Sequence, residues 1–397
     1  MGSELARNWT LDPRIHFLNH GSFGACPRPV LELQAELRAR MERQPVQFIA
    51  RDLEPLLDEA RGALARFVGA DPDDLAFVPN ATTGVNTVTR SLSFEPGDEL
   101  LTTSHAYNAC RNALRWHEQR GAKVTVAEVP WPIAGPWQVV DAVLGAVTER
   151  TRLVLLDMVT SPTGLIFPVQ ELVRRLEERG VDVLVDAAHG PGMVPVDVRA
   201  IGAAYFTGHC HKWLCAPKGA AFLHVRRDRQ SRIRPLVISH GANASRTDRS
   251  RFRLELDWGG TDDPTPFLCV PEAIRFLGSL FPGGWPELME RNHALAVRGR
   301  RLLCEALRVE APAPEEMLGS LAAVPLPDGG PGDAPGKDGP WWHPLQRRLL
   351  EKHDIEAPVL VFPAAPRQQI RISAQAYNAE DQYARLAAAL RAELQLA

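Results

Sequence analysis

Lysine is scarce in this chain. Of its 45 basic residues only five are lysine, namely Lys123, Lys212, Lys218, Lys337 and Lys352, so lysine chemistry has few candidates. No run of about twenty apolar residues occurs, which argues against a membrane-spanning helix. The first residues, Met1-Gly2-Ser3-Glu4-Leu5-Ala6-Arg7, have no apolar core of the kind a secretory signal needs. A cytoplasmic location is the expectation. The net charge of −3 provides no general basic face for nucleic acid. Cysteines are few and scattered (Cys26, Cys110, Cys210, Cys215, Cys269, Cys304), which suits reduced thiols better than a disulfide framework. No internal repeat is present.

What is there is ordinary globular composition, 45% hydrophobic and 23% charged, over 397 residues. That length suits one large and one smaller domain. Short apolar runs alternate with amphipathic stretches through the middle of the chain. Leu75–Pro79, Glu99–Thr103, Lys123–Val129, Leu153–Val159, Val183–Asp186, Ala204–Thr207 and Ala220–Val225 read as strands. Thr82–Leu92, Ala109–Gly121, Val139–Val147 and Val169–Arg179 read as helices, the last stopped by Gly180. This rhythm predicts an α/β fold with a mostly parallel sheet covered on both faces. Beyond about residue 280 the texture changes to a smaller α+β unit. It has helices at Glu287–Val309, Pro344–His353 and Glu380–Leu396, and strands at Leu321–Leu326, Val359–Phe362 and Ile370–Ser373. Pro327–Pro340, rich in Gly, Pro and Asp, reads as a flexible loop. The expected division is an N-terminal segment 1–26 at the site entrance, a large domain 27–280 and a small domain 281–397.

Three short segments carry chemistry. Thr207-Gly208-His209-Cys210-His211-Lys212-Trp213-Leu214 follows a strand, so Lys212 belongs to a loop at a strand end, where open α/β sheets bind ligands. A lysine there can condense with an aldehyde cofactor, although a lone lysine in a polar loop is usually a surface residue. Twenty-six residues earlier, Val183-Leu184-Val185-Asp186-Ala187-Ala188-His189-Gly190 ends an apolar strand with a carboxylate at the same sheet edge. Such a carboxylate keeps a pyridine nitrogen protonated; taken alone, Asp186 is equally a helix cap. His189 is placed to contact the cofactor's phenolic oxygen. Asn80-Ala81-Thr82-Thr83-Gly84-Val85-Asn86 joins a strand to a helix. Its helix-start N–H groups, two hydroxyls and a close-approach glycine form a phosphate cradle, or, in isolation, a plain N-cap by Asn80 or Thr82. The three in order describe a site for pyridoxal 5′-phosphate (PLP).

In these segments the chain resembles the class V aminotransferase superfamily of fold-type I PLP enzymes, within it the isopenicillin N epimerase-like branch, and plant-type L-cysteine desulfhydrases look similar. The matches run from Phe17-Leu18-Asn19-His20-Gly21-Ser22-Phe23-Gly24 to Arg371-Ile372-Ser373-Ala374. The most telling are Asp186-Ala187-Ala188-His189-Gly190-Pro191-Gly192, His211-Lys212-Trp213-Leu214-Cys215-Ala216-Pro217 and Trp258-Gly259-Gly260-Thr261-Asp262-Asp263-Pro264. The resemblance implies a seven-stranded-type sheet and a homodimer with active sites at the subunit interface. It implies Lys212 as the Schiff-base lysine, Asp186 as the pyridinium partner, and Thr82, Thr83 and His211 at the phosphate. Gly260 and Thr261 would reach the phosphate of the other subunit. His105 and Tyr107 fall where the family places the residue over the cofactor ring, one stacking and the other free to exchange a proton. Arg371 would clamp the substrate α-carboxylate, with Asn19 and His20 at the entrance. His209 stands where many relatives carry a phosphate-binding Ser or Thr.

The expected reaction is loss of the Cα proton from an amino acid, most readily a β-elimination (C–S lyase), with epimerisation and then transamination as alternatives. A zinc site at His209, Cys210, His211 and Cys215 lacks the second ligand pair such sites use. A persulfide-forming desulfurase needs a cysteine on a loop of the C-terminal half, and none follows Cys304. A non-catalytic PLP-fold protein should have lost Lys212 or Asp186, and both are present.

Overall fold

The structure, a computed structural model, describes residues 2–330 and 343–396. Its strands, in chain order, are β1 (His16–Phe17), β2 (Leu75–Val78), β3 (Glu99–Thr103), β4 (Lys123–Ala127), β5 (Thr151–Asp157), β6 (Asp182–Ala187), β7 (Tyr205–His209), β8 (Ala221–Val225), β9 (Leu321–Leu326), β10 (Ile355–Glu356), β11 (Val359–Val361) and β12 (Gln368–Ser373). Seven of them form the central sheet in the order β2-β8-β7-β6-β5-β3-β4. β4, β3, β5, β6 and β7 are mutually parallel, and only β8 runs against the rest. The inner strands are buried on both faces, Leu153–Leu156 and Val183–Val185 completely. This explains their unbroken apolar sequence.

Helices cover the sheet where the sequence pattern allows it. In the helix Val169–Glu177, Leu172, Val173 and Leu176 turn inward, and Gly180 beyond it has φ +72°. The helix Ala81–Ser91 buries Val85 and Val88. Its Gly84 lies so close to β7 that an added Cβ would overlap the Thr207 side chain. The glycine expected to admit a ligand therefore serves helix–sheet packing. The predicted helix 109–121 is α-helical only through Arg115 and finishes as a 3₁₀ turn before Gly121 at φ +90°.

The C-terminal part places the antiparallel sheet β11-β12-β9 against the helices Gly284–Leu307 and Glu380–Glu393. β12 is its central strand, so Arg371 is not on an exposed edge. The N-terminal residues are tied to this part: β1 pairs with β10, and the Ser3 N–H donates to Tyr377 O. Of the loop expected at 327–340, only residues 327–330 are among those described. No helix among the described residues is long and apolar enough to cross a membrane.

Candidate active site

The parallel strands end at a common edge, and a cavity of about 360 Å³ opens there. β5 delivers Asp157, β6 delivers Asp186, and the loops that follow β6 and β7 deliver His189 and Lys212. Asn80 and Thr82, at the start of the helix Ala81–Ser91, close one side, and Tyr107 covers another.

Lys212 is buried, and its Nζ lies 3.2 Å from His189 Nε2. Burial, then the Arg371 charge, press its proton affinity down to about 8, with Asp186 pulling the other way. Asp186 accepts from the Ala188 N–H at 2.9 Å and from the Cys110 thiol at 3.1 Å. Burial raises its pKa and those hydrogen bonds offset part of the rise. Opposite it in sheet register stands Asp157. Its Oδ2 is sealed from solvent without a partner, and burial and the Asp186 charge hold its carboxyl well above the usual range. Asp157 is thus the member of the pair pushed further toward its neutral form.

At the opposite end of the cavity the Asn80 side chain caps the helix, accepting from the Thr83 N–H and hydroxyl. The first-turn N–H groups of a helix are anion donors. Thr82 faces the cavity; Thr83 does not, because its hydroxyl is spent on the cap and its side chain looks into a neighbouring groove lined by Gly260 and Thr261. His209 and His211 lie ring on ring, 4.2 Å between centroids. His211 Nδ1 donates to Ala220 O, whereas both nitrogens of buried His209 lack any partner. Burial keeps both rings neutral, His211 down to about 4.

Beyond Thr83, the expected site residues His105, His20, Asn19 and Arg371 lie behind or beside the residues that line the cavity. His105 is fully buried behind the cavity, with Nε2 donating to Val129 O and Nδ1 accepting from Thr163 Oγ1. With both nitrogens engaged it offers nothing to a ligand, and Tyr107 alone of the two lines the cavity. His20 is also fully buried, its ring tilted against Trp213 with centroids 4.8 Å apart. Its Nε2 donates to Lys212 O and its Nδ1 accepts from Tyr377 O–H, so it supports the lysine loop from below. The entrance is formed by its neighbours Ser22 and Phe23. Asn19 reaches the site through Ser22, whose hydroxyl donates to Asn19 Oδ1 at 2.5 Å.

Arg371 is buried, donating to Ser161 O and, at 3.0 Å, to Ser22 Oγ. Its Nε has no partner, and burial lowers its pKa to about 10. Asp157, Ser22, Phe23 and Ser161 were missed in the sequence. Only Asp157 left a trace there, since β5, like β6, is an apolar run closed by aspartate.

The aminotransferase class V family model matches residues 28–325. The chain belongs to that family. It is 37% identical to an isopenicillin N epimerase of Amycolatopsis lactamdurans, over 96% of each chain. It is 32% identical to a probable chloroplastic L-cysteine desulfhydrase of Arabidopsis thaliana, over 94% of this chain and 82% of that one. The fold matches an apo cysteine desulfurase from Thermococcus onnurineus with a TM-score of 0.81 at 19% identity over the whole of both chains. It also matches a C-DES variant that carries glycine linked to its PLP, with a TM-score of 0.79 at 20% identity, over 97% of this chain and 98% of that one. This is a fold-type I, PLP-dependent enzyme. The class V family member's own residues fit PLP: an amine of low proton affinity, a carboxylate across from it, a helix N-terminus for phosphate, and the orphaned polar atoms of His209. All six cysteines are buried free thiols. No cluster of metal-ligating side chains occurs among the described residues.

Proposed function

We propose that the enzyme is a C–S lyase: it removes the Cα proton of a sulfur-bearing amino acid and expels the sulfur substituent from Cβ. When bound, PLP supplies the electron sink that makes the Cα proton acidic. Lys212 would carry the cofactor and serve as the group that takes that proton. Asp186 would keep the ring nitrogen protonated, with His189 available to the phenolic oxygen. Thr82, the helix N-terminus, His209 and His211 would hold the phosphate, and Tyr107 would bound the ring's side of the cavity. Arg371 turns from Ser22 and Ser161 to the substrate carboxylate, for which its planar fork is shaped. Asn19, through Ser22, sets the resting position of that fork.

The observation that carries this reading is one group, Lys212, able both to take up and to return a proton near neutral pH. Lys212 is the one cavity-lining amine among the described residues, and its proton affinity is near neutrality. The imidazoles beside it are held neutral by burial, and His105 is turned away. Elimination needs one group that accepts the Cα proton and can return it to the departing sulfur. Epimerisation needs a second acid on the opposite face. The relatives named L-cysteine desulfhydrases, similar over 93–94% of this chain, support the same reading.

Epimerisation is the second reading. It is favoured by the half-exposed Tyr107 phenol in the same cavity and by the epimerase relatives at 37% and 35% identity. Purified enzyme in deuterated water, offered cysteine, cystine, cysteine conjugates and ordinary amino acids, separates the two. A keto acid with ammonia and a thiol or sulfide supports the lyase. Recovered amino acid, inverted and deuterated at Cα, overturns it in favour of the epimerase.

The reading includes a homodimer. Exposed Leu236 and Val237 line one groove with Gly260 and Thr261, and space beyond Gly260 is open. A second copy would cover that apolar rim. Sedimentation showing a monomer at micromolar concentration would remove this part of the proposal.

A further inference from the structure

Trp213 directly follows the reactive lysine and has no contact with the cavity. It is fully buried, with Nε1 3.1 Å from His189 Nδ1. An indole N–H can only donate. His189 Nδ1 must therefore be the lone-pair nitrogen. Burial keeps His189 neutral, with the nearby Lys212, Arg371, His209 and His20 acting in the same direction. A neutral imidazole carries one proton, so that proton is on Nε2. Nε2 lies 3.2 Å from Lys212 Nζ. An N–H directed at an amine forms a hydrogen bond only if the amine keeps its lone pair; an ammonium there would meet donor with donor.

We propose that Trp213 is a positioning residue that fixes His189 as the Nε2–H tautomer and thereby favours the neutral amine of Lys212, the form that attaches the cofactor. The inference rests on Lys212 being the reactive lysine. With the cofactor in place, the same Nε2–H is fixed as a donor toward it, so Trp213 sets a donor at the cavity without touching a ligand. The other groups facing Lys212 are Arg371, which favours the neutral amine, and Asp186 and Cys110, which oppose it. The tautomer decides between these opposed influences. If the indole N–H is removed, His189 is free to place its proton on Nδ1 and turn a lone pair on Lys212, which then retains its own proton more firmly.

The test uses cofactor-free full-length protein labelled with ¹⁵N-histidine, His189 being assigned by its absence from His189→Phe. Nitrogen shifts of the wild type report the tautomer directly. A proton on Nε2 is expected; a proton on Nδ1 in the wild type overturns the proposal, whatever any variant does. The second readout is the pH midpoint for covalent uptake of PLP at Lys212, trapped with borohydride. Trp213→Phe is expected to raise that midpoint by about one pH unit, a tenfold loss of uptake rate at neutral pH. In a His189→Phe background the same substitution should leave it unmoved. An equal shift in both backgrounds would make Trp213 a packing residue only. Absence of PLP uptake in the wild type would instead defeat the reading of Lys212, while the nitrogen shifts would still decide the tautomer.

Discussion

Lys212 gives the sharpest test of the site. A lysine in water holds its proton to about pH 10.5, so about one amine in three thousand is neutral at pH 7. In the folded, cofactor-free protein burial and Arg371 bring the value to about 8, and about one in eleven is neutral. Only the neutral amine attacks an aldehyde. Lys212 should therefore take up PLP about 300-fold faster at pH 7 than an ordinary lysine of equal access. The experiment incubates cofactor-free protein with PLP from about pH 6 to about pH 10.5. Adducts are trapped with borohydride and located by peptide mass spectrometry. Labelling should concentrate at Lys212 and level off above about pH 8. The same shift acts on stability. Between the folded value of about 8 and the unfolded value near 10.5 the unfolded chain binds more protons, so stability of the cofactor-free protein rises with pH across that window. Below about pH 8 the cost of the buried ammonium is fully present, on the order of 3 kcal/mol. Uptake still climbing at pH 10, or labelling spread over Lys123, Lys218 and Lys352, would refute the reasoning.

Other perturbations follow from the same geometry. Arg371→Lys replaces a planar fork by a point charge and should raise KM for the amino acid about 10- to 100-fold with a smaller change in kcat; steady-state kinetics with an unchanged KM would remove the carboxylate role. Gly84→Ala should cost about 1–3 kcal/mol in chemical denaturation, because the new methyl collides with Thr207. Thr207→Ala in the same chain should recover only part of the loss, because it removes the hydroxyl but leaves its own Cβ 2.8 Å from the new methyl. Asn80→Ala removes a cap that satisfies the Thr83 N–H and should cost about 1 kcal/mol, measured without cofactor so that loss of phosphate binding does not contribute.

The sequence revealed most where one physical rule acts alone. Asp186 and Lys212 were legible because parallel strands deliver their C-terminal residues to one edge. The strands followed from apolar or alternating runs, with ends displaced in several: β5 is Thr151–Asp157 where Leu153–Val159 was expected. The order in which those strands pair was not legible, since it is set by packing between distant segments. That order puts β5 beside β6 and so makes Asp157 a neighbour of Asp186. The choice between His105 and Tyr107 was likewise beyond the sequence. Both follow β3, and the outcome depends on Val129 and Thr163 claiming the imidazole. Thr82 and Thr83 look alike in sequence; the cap geometry of Asn80 separates them.

One departure reveals how the lysine loop is held. His20, expected at the entrance from the resemblance, holds that loop instead. His20 donates to Lys212 O, Gly24 at φ +72° lets its segment lie against the backbone of His211 and Lys212, and Lys218 Nζ donates to Gly24 O at 2.9 Å. Tyr377, from the other end of the chain, donates to His20. The loop itself contains Cys215 at φ +57°, a conformation that costs a non-glycine residue about 1 kcal/mol. Chain segments nearly 200 residues before and more than 150 after the loop thus converge on it. The base role proposed for Lys212 would need its backbone fixed while its side chain moves. Spending buried histidine and tyrosine hydrogen bonds on the backbone, and leaving Nζ only one imidazole partner, meets both demands. His20, expected at the entrance, is thus an anchor of the lysine loop, while the proposed base keeps a free side chain.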